Sequence, residues 1–273
     1  MTILSQLIQG AVLGAVQGFA EFLPVSSSGH LILVPTLLRW EDQGLAFDVI
    51  LHLGTLLALL WCFWGELLGL AKNAVMPSAT PAETSHARDL IVKVAVAAVP
   101  ALILGYAFND WLESYARNAM LIAFNLAVWA TVLWYADSRA KAAADVSILA
   151  TKISWRQALS VAFSQPLALL PGTSRSGITI TAGLLSGMPR ALAAKFSFFV
   201  SIPVTAAAGG YGLLKLLMHG GIEHPLKLAV GFVTAAATGI FAIRLLLRYV
   251  SKDSYVPFVF YRYALAVVVL LVT

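Results

Sequence analysis

Glu21-Phe22-Leu23-Pro24-Val25-Ser26-Ser27-Ser28-Gly29-His30 is a polar, proline-broken stretch inside an otherwise apolar region. A carboxylate, three hydroxyls and an imidazole are costly at membrane depth, so a lipid-embedded chain that keeps them there reads as handling a polar ligand. A second such cluster, Pro171-Gly172-Thr173-Ser174-Arg175-Ser176-Gly177, lies in the other half of the chain. Backbone groups freed at these breaks need protein or water as partners. Residues 1–38 and 155–190, interrupted by Pro24, Pro35, Pro166, Pro171 and Pro189, therefore read as re-entrant helix hairpins that enter the membrane and return on the same side.

The rest of the chain fits that setting. Its 273 residues are 60% hydrophobic and 11% charged, with a mean hydropathy of +0.85; soluble domains carry about 25% charged residues. The net charge of +5 is spread out, which argues against a nucleic acid partner and suits cationic loops beside anionic lipid. The single cysteine, Cys62, lies in an apolar run, so neither a disulfide framework nor a thiol metal site is expected. No basic segment precedes the first apolar stretch, so a cleaved signal peptide is not expected. One integral membrane domain, 1–273, is the economical reading.

Windows with few or no charges fall near 43–65, 90–109, 118–136, 196–214, 227–247 and 254–273. Each is close to the roughly 20 residues a helix needs to cross. The expected fold is an all-α polytopic membrane protein: about six transmembrane helices plus two re-entrant helix hairpins in inverted-topology repeats. Loops 66–93 (Lys72, Arg88, Lys93) and 137–156 (Arg139, Lys141, Lys152, Arg156) are more basic than the turn 110–117, which has only Arg117. The positive-inside rule puts both richer loops in the cytoplasm. Arg244, Arg248 and Lys252 outweigh Lys215 and Lys227 to mark a third cytoplasmic connection, with both termini outside. Trp61, Trp64, Trp134 and Tyr135 then fall at cytoplasmic helix ends and Trp111 at an outer one, as interfacial anchors do.

The two broken regions are alike. Gln17-Gly18-Phe19-Ala20 aligns with Gln165-Pro166-Leu167-Ala168, and Ser28-Gly29 with Ser176-Gly177, at a shared offset of 148. Paired interrupted segments in two halves point to a midplane site between repeats, here about 1–110 and 118–247 with a last helix at 254–273. Three crossings separate the copies, so the second enters from the opposite face and the two turns can meet near the bilayer centre.

The second cluster reads as an anion cradle. Gly172 and Gly177 let backbone N–H groups approach an oxyanion, Thr173, Ser174 and Ser176 offer hydroxyls, and Arg175 offers a planar fork for phosphate oxygens. A helix starting there would add partial positive charge. The structural alternative is a polar break with Arg175 paired to a carboxylate. In the first cluster Ser26, Ser27 and Ser28 are candidate nucleophiles or phosphate donors, and His30 a candidate base or acid. Glu21 could orient His30, bind a cation or take a proton, and Gln17 lies one helical turn before it. Serines that merely cap a helix are the alternative.

Other polar residues rank lower. Asp48 and His52 form an i, i+4 pair that could border the site. His86, His219 and His224 read as solvated loop residues, and Arg262 as the partner of a buried acid or a snorkelling cation. Gly10, Gly14 and Gly18 form a small-residue stripe for close helix packing.

The stretches Gln17 to His30 and Pro171 to Gly177 resemble the two signature motifs of the bacterial undecaprenyl-diphosphate phosphatases, also called bacitracin-resistance proteins. The likeness continues through Phe47-Asp48 and Leu53-Gly54 to Tyr261-Arg262, essentially the whole chain. The resemblance implies six membrane-spanning helices plus two re-entrant pairs in interlocked inverted repeats. It also implies hydrolysis of undecaprenyl diphosphate to the monophosphate carrier lipid and phosphate, recycling the carrier for cell-wall synthesis and conferring bacitracin resistance. Glu21, Ser27, His30, Ser174 and Arg175 fall on the positions taken as essential. Position 17 is Gln here where some members have Glu, so a role needing two carboxylates is not met by Gln17.

The same likeness implies a divalent cation, Mg2+ or Ca2+; with Glu21 the one motif carboxylate, the ion is expected to ride mainly on the substrate diphosphate. The implied partners are a polyprenyl diphosphate lipid and membrane lipids, with no nucleic acid and a homo-oligomer left open. The implied location is the bacterial cytoplasmic membrane, with the site opening to the periplasm. In the expected mechanism Ser27 attacks the terminal phosphorus or positions a water, His30 handles the proton, and Glu21 orients it or carries the metal. Phosphoserine, phosphohistidine and direct water attack remain open. The rival reading is a polyprenyl-phosphate flippase using the same anion site.

Overall fold

The computed structural model describes residues 2–41, 43–75, 80–108, 118–140, 147–219 and 224–272. Among them the chain is all-α. Thr2 caps α1 (Ile3–Phe22), its hydroxyl accepting the Ser5 N–H at 3.3 Å. Leu23 stops the helix in an extended conformation, φ −70° and ψ 144°, because the residue before a proline is pushed out of the α region. Ser26 then turns with φ 75° into α2 (Ser27–Leu38), which carries Pro35 inside it rather than ending there. α3 (Gly44–Cys62) and α4 (Trp64–Val75) meet at Phe63 with a 67° bend.

α5 (Pro81–Ala107) begins earlier than its apolar window. Pro81 at its first position and a reciprocal Thr80–Glu83 capping box nucleate it outside the apolar stretch, so the basic connection expected as a loop at 66–93 is largely helix. His86 accordingly sits half-buried on α5 rather than in a loop. Asn118 caps α6 (Ala119–Ser138). A second capping box, Ser154–Gln157, starts α7 (Trp155–Ser164), which tightens into a 3-10 turn over Gln165–Leu169 before the motif turn and α8 (Arg175–Leu185). α9 (Arg190–His219), α10 (Pro225–Val250) and α11 (Val256–Val272) complete the chain. His224 precedes α10 without a side-chain cap, is exposed as expected, and pairs with Gln6 at 3.1 Å. Trp111, Arg117, Lys141 and the side chain of His219 lie outside the described residues.

α1, α5, α6, α9 and α10 are each long and apolar enough to cross a membrane, and the bent α3–α4 pair is a sixth candidate. α11 is apolar but 17 residues long. The chain is a multi-pass membrane protein. Large apolar side chains such as Leu4, Phe124, Val233, Phe241, Phe260 and Leu271 face outward, as do Trp61, Trp64, Trp134 and Tyr135 at helix ends. The two broken regions differ in one respect. Their turns match, but α1 has 20 residues and α7 only 10.

α1 lies along α10 at small-residue range, as the glycine stripe predicts. A Cβ on Gly10 would stand 2.6 Å from the Lys227 carbonyl oxygen, and one on Gly18 2.6 Å from that of Ala235. The ends of α1 and α3 are pinned to α9 through Phe22 against Phe198 and Phe63 against Phe199, both edge-on at 5.6 and 5.2 Å. This wedge fixes where α1 delivers Gln17 and Glu21.

Candidate active site

Both motif turns are built alike. Ser26 (φ 75°) and Ser174 (φ 72°) take the same left-handed backbone at the starts of α2 and α8. Ser26 Oγ pairs with Ser28 Oγ at 3.2 Å, and Ser174 Oγ with Ser176 Oγ at 3.3 Å. The turns cross-link reciprocally: the Gly172 N–H reaches Ser28 Oγ at 3.5 Å, and Ser176 Oγ donates to the Leu23 carbonyl at 3.0 Å.

Arg262 clamps the seam. Fully buried, it donates to the carbonyl oxygens of Pro24 (3.3 Å), Leu126 (3.2 Å), Asn125 (3.4 Å), Gly172 (3.2 Å) and Thr173 (2.9 Å). The expectation of an acid partner or a snorkelling cation is therefore corrected. The breaks at Pro24 and Pro171 free carbonyls at depth, and the guanidinium satisfies them. Asn125 Nδ2 satisfies another, the Pro171 carbonyl, at 2.8 Å.

At the mouth of this seam four groups converge on Glu21. Ser27 Oγ donates to Glu21 Oε2 at 2.7 Å, and Gln17 Nε2 donates to the same oxygen at 3.1 Å. Arg175 Nη2 pairs with Glu21 Oε1, while its Nη1 donates to Thr205 Oγ1 at 2.8 Å. His52 Nε2 stands 3.7 Å from Oε2. The ionised carboxylate only accepts, so Ser27 is the donor and its oxygen lone pairs remain directed elsewhere. The side chain of Glu21 is 6% exposed and that of Arg175 21%; the pair is buried on one side and open on the other.

The remaining expected site residues divide. Ser27 and Arg175 are half-buried and Ser28 is exposed, whereas Ser26, Thr173, Ser174 and Ser176 are buried. Ser174 Oγ accepts the Gly177 N–H at 3.1 Å, so it serves as a helix cap here. Thr173 Oγ1 and Gln17 Oε1 are buried without a protein partner. The Asp48 carbonyl accepts from His52 Nδ1 at 2.7 Å, and the Asp48 carboxyl lies near enough to interact with the same ring.

His30 is joined to neither Ser27 nor Glu21 by any hydrogen bond among the described residues. Its Nδ1 lies 2.7 Å from the Ser26 carbonyl and must carry the proton, so Nε2 accepts from the Tyr261 hydroxyl at 2.6 Å. Glu21 therefore orients Ser27 rather than His30. Sequence reasoning missed Thr205, Asn125 and Tyr261. All are uncharged polar residues inside apolar windows, a weak signal that only their contacts with the motif turns make legible.

The family pattern of the bacitracin resistance protein BacA matches residues 10–268. The chain belongs to the BacA family. Its similarity to curated relatives runs nearly end to end. It is 43% identical over 263 residues to the undecaprenyl-diphosphatase of Caldicellulosiruptor bescii, covering 96% of each chain. It is 41% identical over 269 residues to that of Moorella thermoacetica, covering 97% of each. It is 41% identical over 263 residues to that of Campylobacter curvus, covering 96% of this chain and 97% of the relative.

A resident metal ion does not fit the BacA site as built. Among the described residues no group of three or more His, Cys, Asp or Glu side chains could hold one. The Glu21 oxygens already serve Arg175, Ser27 and Gln17. One carboxylate spent on a guanidinium is a poor donor set for a hard cation, which asks for about six oxygens.

Proposed function

We propose that this chain hydrolyses the terminal phosphate of undecaprenyl diphosphate, giving the monophosphate carrier lipid and inorganic phosphate. Its relatives carry the name of that activity over the full length, and recycling the carrier serves cell-wall synthesis while removing the lipid that bacitracin binds. The observation that carries the reading is the Ser27 hydroxyl held 2.7 Å from the Glu21 carboxylate, beside a partly exposed Arg175. A carrier protein needs an anion cradle; it does not need a hydroxyl seated on a base.

The mechanism is an in-line phosphoryl transfer. Arg175 holds the terminal phosphate and stabilises charge as it shifts toward the bridging oxygen. Ser27 Oγ attacks the terminal phosphorus while Glu21 accepts its proton. Arg175, leaving Glu21 for the phosphate, uncovers that carboxylate as a base at the moment it is needed. His30, fixed by Ser26 and Tyr261, holds the first turn of α2 that carries Ser27. A divalent cation, Mg2+ or Ca2+, belongs to the substrate as its diphosphate complex. The polyprenyl tail stays in lipid beside the helices. The more basic connections support placing them on the cytoplasmic side of the membrane, and the site is proposed to open to the opposite, periplasmic face.

One observation favours a second reading, a flippase: the near-twofold match of the two turns suits a site that opens to either face. Phosphate release by detergent-solubilised protein separates the two, since no compartments remain. Wild type should turn over and Ser27→Ala should not; turnover by Ser27→Ala close to wild type would remove the nucleophile, and silence of the wild type with lipid transfer in vesicles would favour the flippase.

A further inference from the structure

We infer that His52 is the proton exit of the site, a positioning and proton-accepting residue that acts through Glu21. The inference rests on the hydrolase reading above and extends it. Two histidines border the turns, and their ring nitrogens are differently committed. Both nitrogens of His30 are occupied, by the Ser26 carbonyl and the Tyr261 hydroxyl. Among the described residues only Nδ1 of His52 is hydrogen-bonded, to the Asp48 carbonyl at 2.7 Å. That contact puts the proton on Nδ1 and leaves the Nε2 lone pair facing Glu21 Oε2, the same oxygen that holds Ser27.

At 3.7 Å the two atoms are not hydrogen-bonded in the resting arrangement; such catalytic contacts tighten when the proton arrives. Exposure supplies the direction. The Glu21 side chain is 6% exposed and that of His52 36%, so His52 is the more accessible of the two groups and the one able to pass the proton on. Gln17, the other neighbour of Oε2, cannot take a proton.

The stoichiometry requires such an exit. For the fully ionised diphosphate, the Ser27 Oγ–H bond breaks as Oγ bonds to the terminal phosphorus. The bridging P–O bond breaks with its electron pair on the lipid phosphate. The proton passes to Glu21 Oε2 and on to His52 Nε2. Water then attacks the phosphoserine; one of its protons returns to Oγ and the other stays on the phosphate. One water is consumed, and the proton taken in the first half has to leave.

The following charged groups surround His52 among the described residues. Glu21 faces it from α1, with Arg175 of α8 behind that carboxylate, and Asp48 stands one turn away on α3. On the helices packed against α3, Lys195 sits near Glu66 and Lys227 over the Phe47 ring. Lys215 lies a turn beyond Gly212, which meets Val49, and Arg244 lies near Cys62 at the far end of α3.

The test uses full-length protein in detergent, phosphate release from undecaprenyl diphosphate across pH, and the variants His52→Gln and His52→Ala. His52→Gln should lower kcat by about 10²-fold, the lower end of general-base contributions, with KM little changed and with a pH profile different from that of the wild type. Added imidazole should restore His52→Ala in proportion to its free-base form, and pyrazole, of the same shape but far weaker as a base, should not. Wild-type kcat and pH profile in His52→Gln, or equal rescue by the two azoles, would overturn the inference while leaving the hydrolase reading intact. Absence of turnover by the wild type would instead overturn the hydrolase reading beneath it.

Discussion

Glu21 and Arg175, 154 residues apart in sequence, form the ion pair that joins the first motif turn to the second. Each is the other's main compensation in a poorly solvated place, so deleting one leaves the other uncompensated. Glu21→Gln and Arg175→Gln should each lower kcat by at least about 10²-fold. The double variant should be little worse than either single one, because both act on the same Ser27 proton and phosphate charge. A double-mutant cycle on kcat/KM checks this; strictly additive losses would mean that the two residues work independently.

Arg262 should matter for stability before it matters for chemistry. Its five carbonyl partners span both turns and α6, and an ammonium has only three donors. Arg262→Lys should therefore cost about 3–5 kcal/mol, the range for breaking a buried charged network. A lowered thermal midpoint in detergent, with residual activity at low temperature, is the expected result. An unchanged midpoint would show that the turns hold together without the clamp.

Five of the six apolar windows and the two proline-broken turns are legible because hydropathy over some 20 residues and proline restrictions are local properties; the window 254–273 holds a helix of only 17 residues, whereas α1, expected as half of a hairpin, is long enough to cross. The site was legible in part. Glu21, Ser27 and Arg175 stood out as polar groups at depth, but their joining depends on α1 reaching α9 and α10. His30 read as the base from its nearness to Ser27 in sequence, yet contacts with Ser26 and Tyr261, the latter 231 positions away, take its nitrogens elsewhere. Arg262 differs from its sequence expectation for a related reason: backbone carbonyls carry no sequence signature, so a cation that answers to them looks unpaired. The extra turns of α5 leave no trace in the hydropathy because a capping box, not apolarity, begins them.

The glycine stripe makes a prediction about reach. A Cβ at Gly14 would lie 2.5 Å from the Gly231 carbonyl oxygen and press on Thr234. Backbone cannot yield as a flexible side chain does, so Gly14→Ala should cost about 1–3 kcal/mol as overpacking. α1 also carries Gln17 and Glu21, so moving it from α10 should displace the carboxylate from Ser27 and reduce kcat. Gly65, where an added Cβ would meet nothing within 4 Å, supplies the control: Gly65→Ala should leave both the thermal midpoint and turnover unchanged.

Ser174 separates backbone conformation from hydroxyl chemistry. Its φ of 72° is strained for any residue with a Cβ, and its hydroxyl caps the helix whose first residue is Arg175. Alanine keeps the strain and loses the cap, which costs about 1 kcal/mol. Glycine loses the same cap but relaxes the backbone, so the two effects nearly offset. Ser174→Gly should therefore melt near the wild-type temperature and Ser174→Ala several degrees lower. Both should lose about tenfold or more in kcat/KM, because an uncapped α8 start lets Arg175 wander and small misplacements are costly. Full activity in a stable Ser174→Gly protein would show that neither the cap nor the hydroxyl is needed to aim the guanidinium at phosphate.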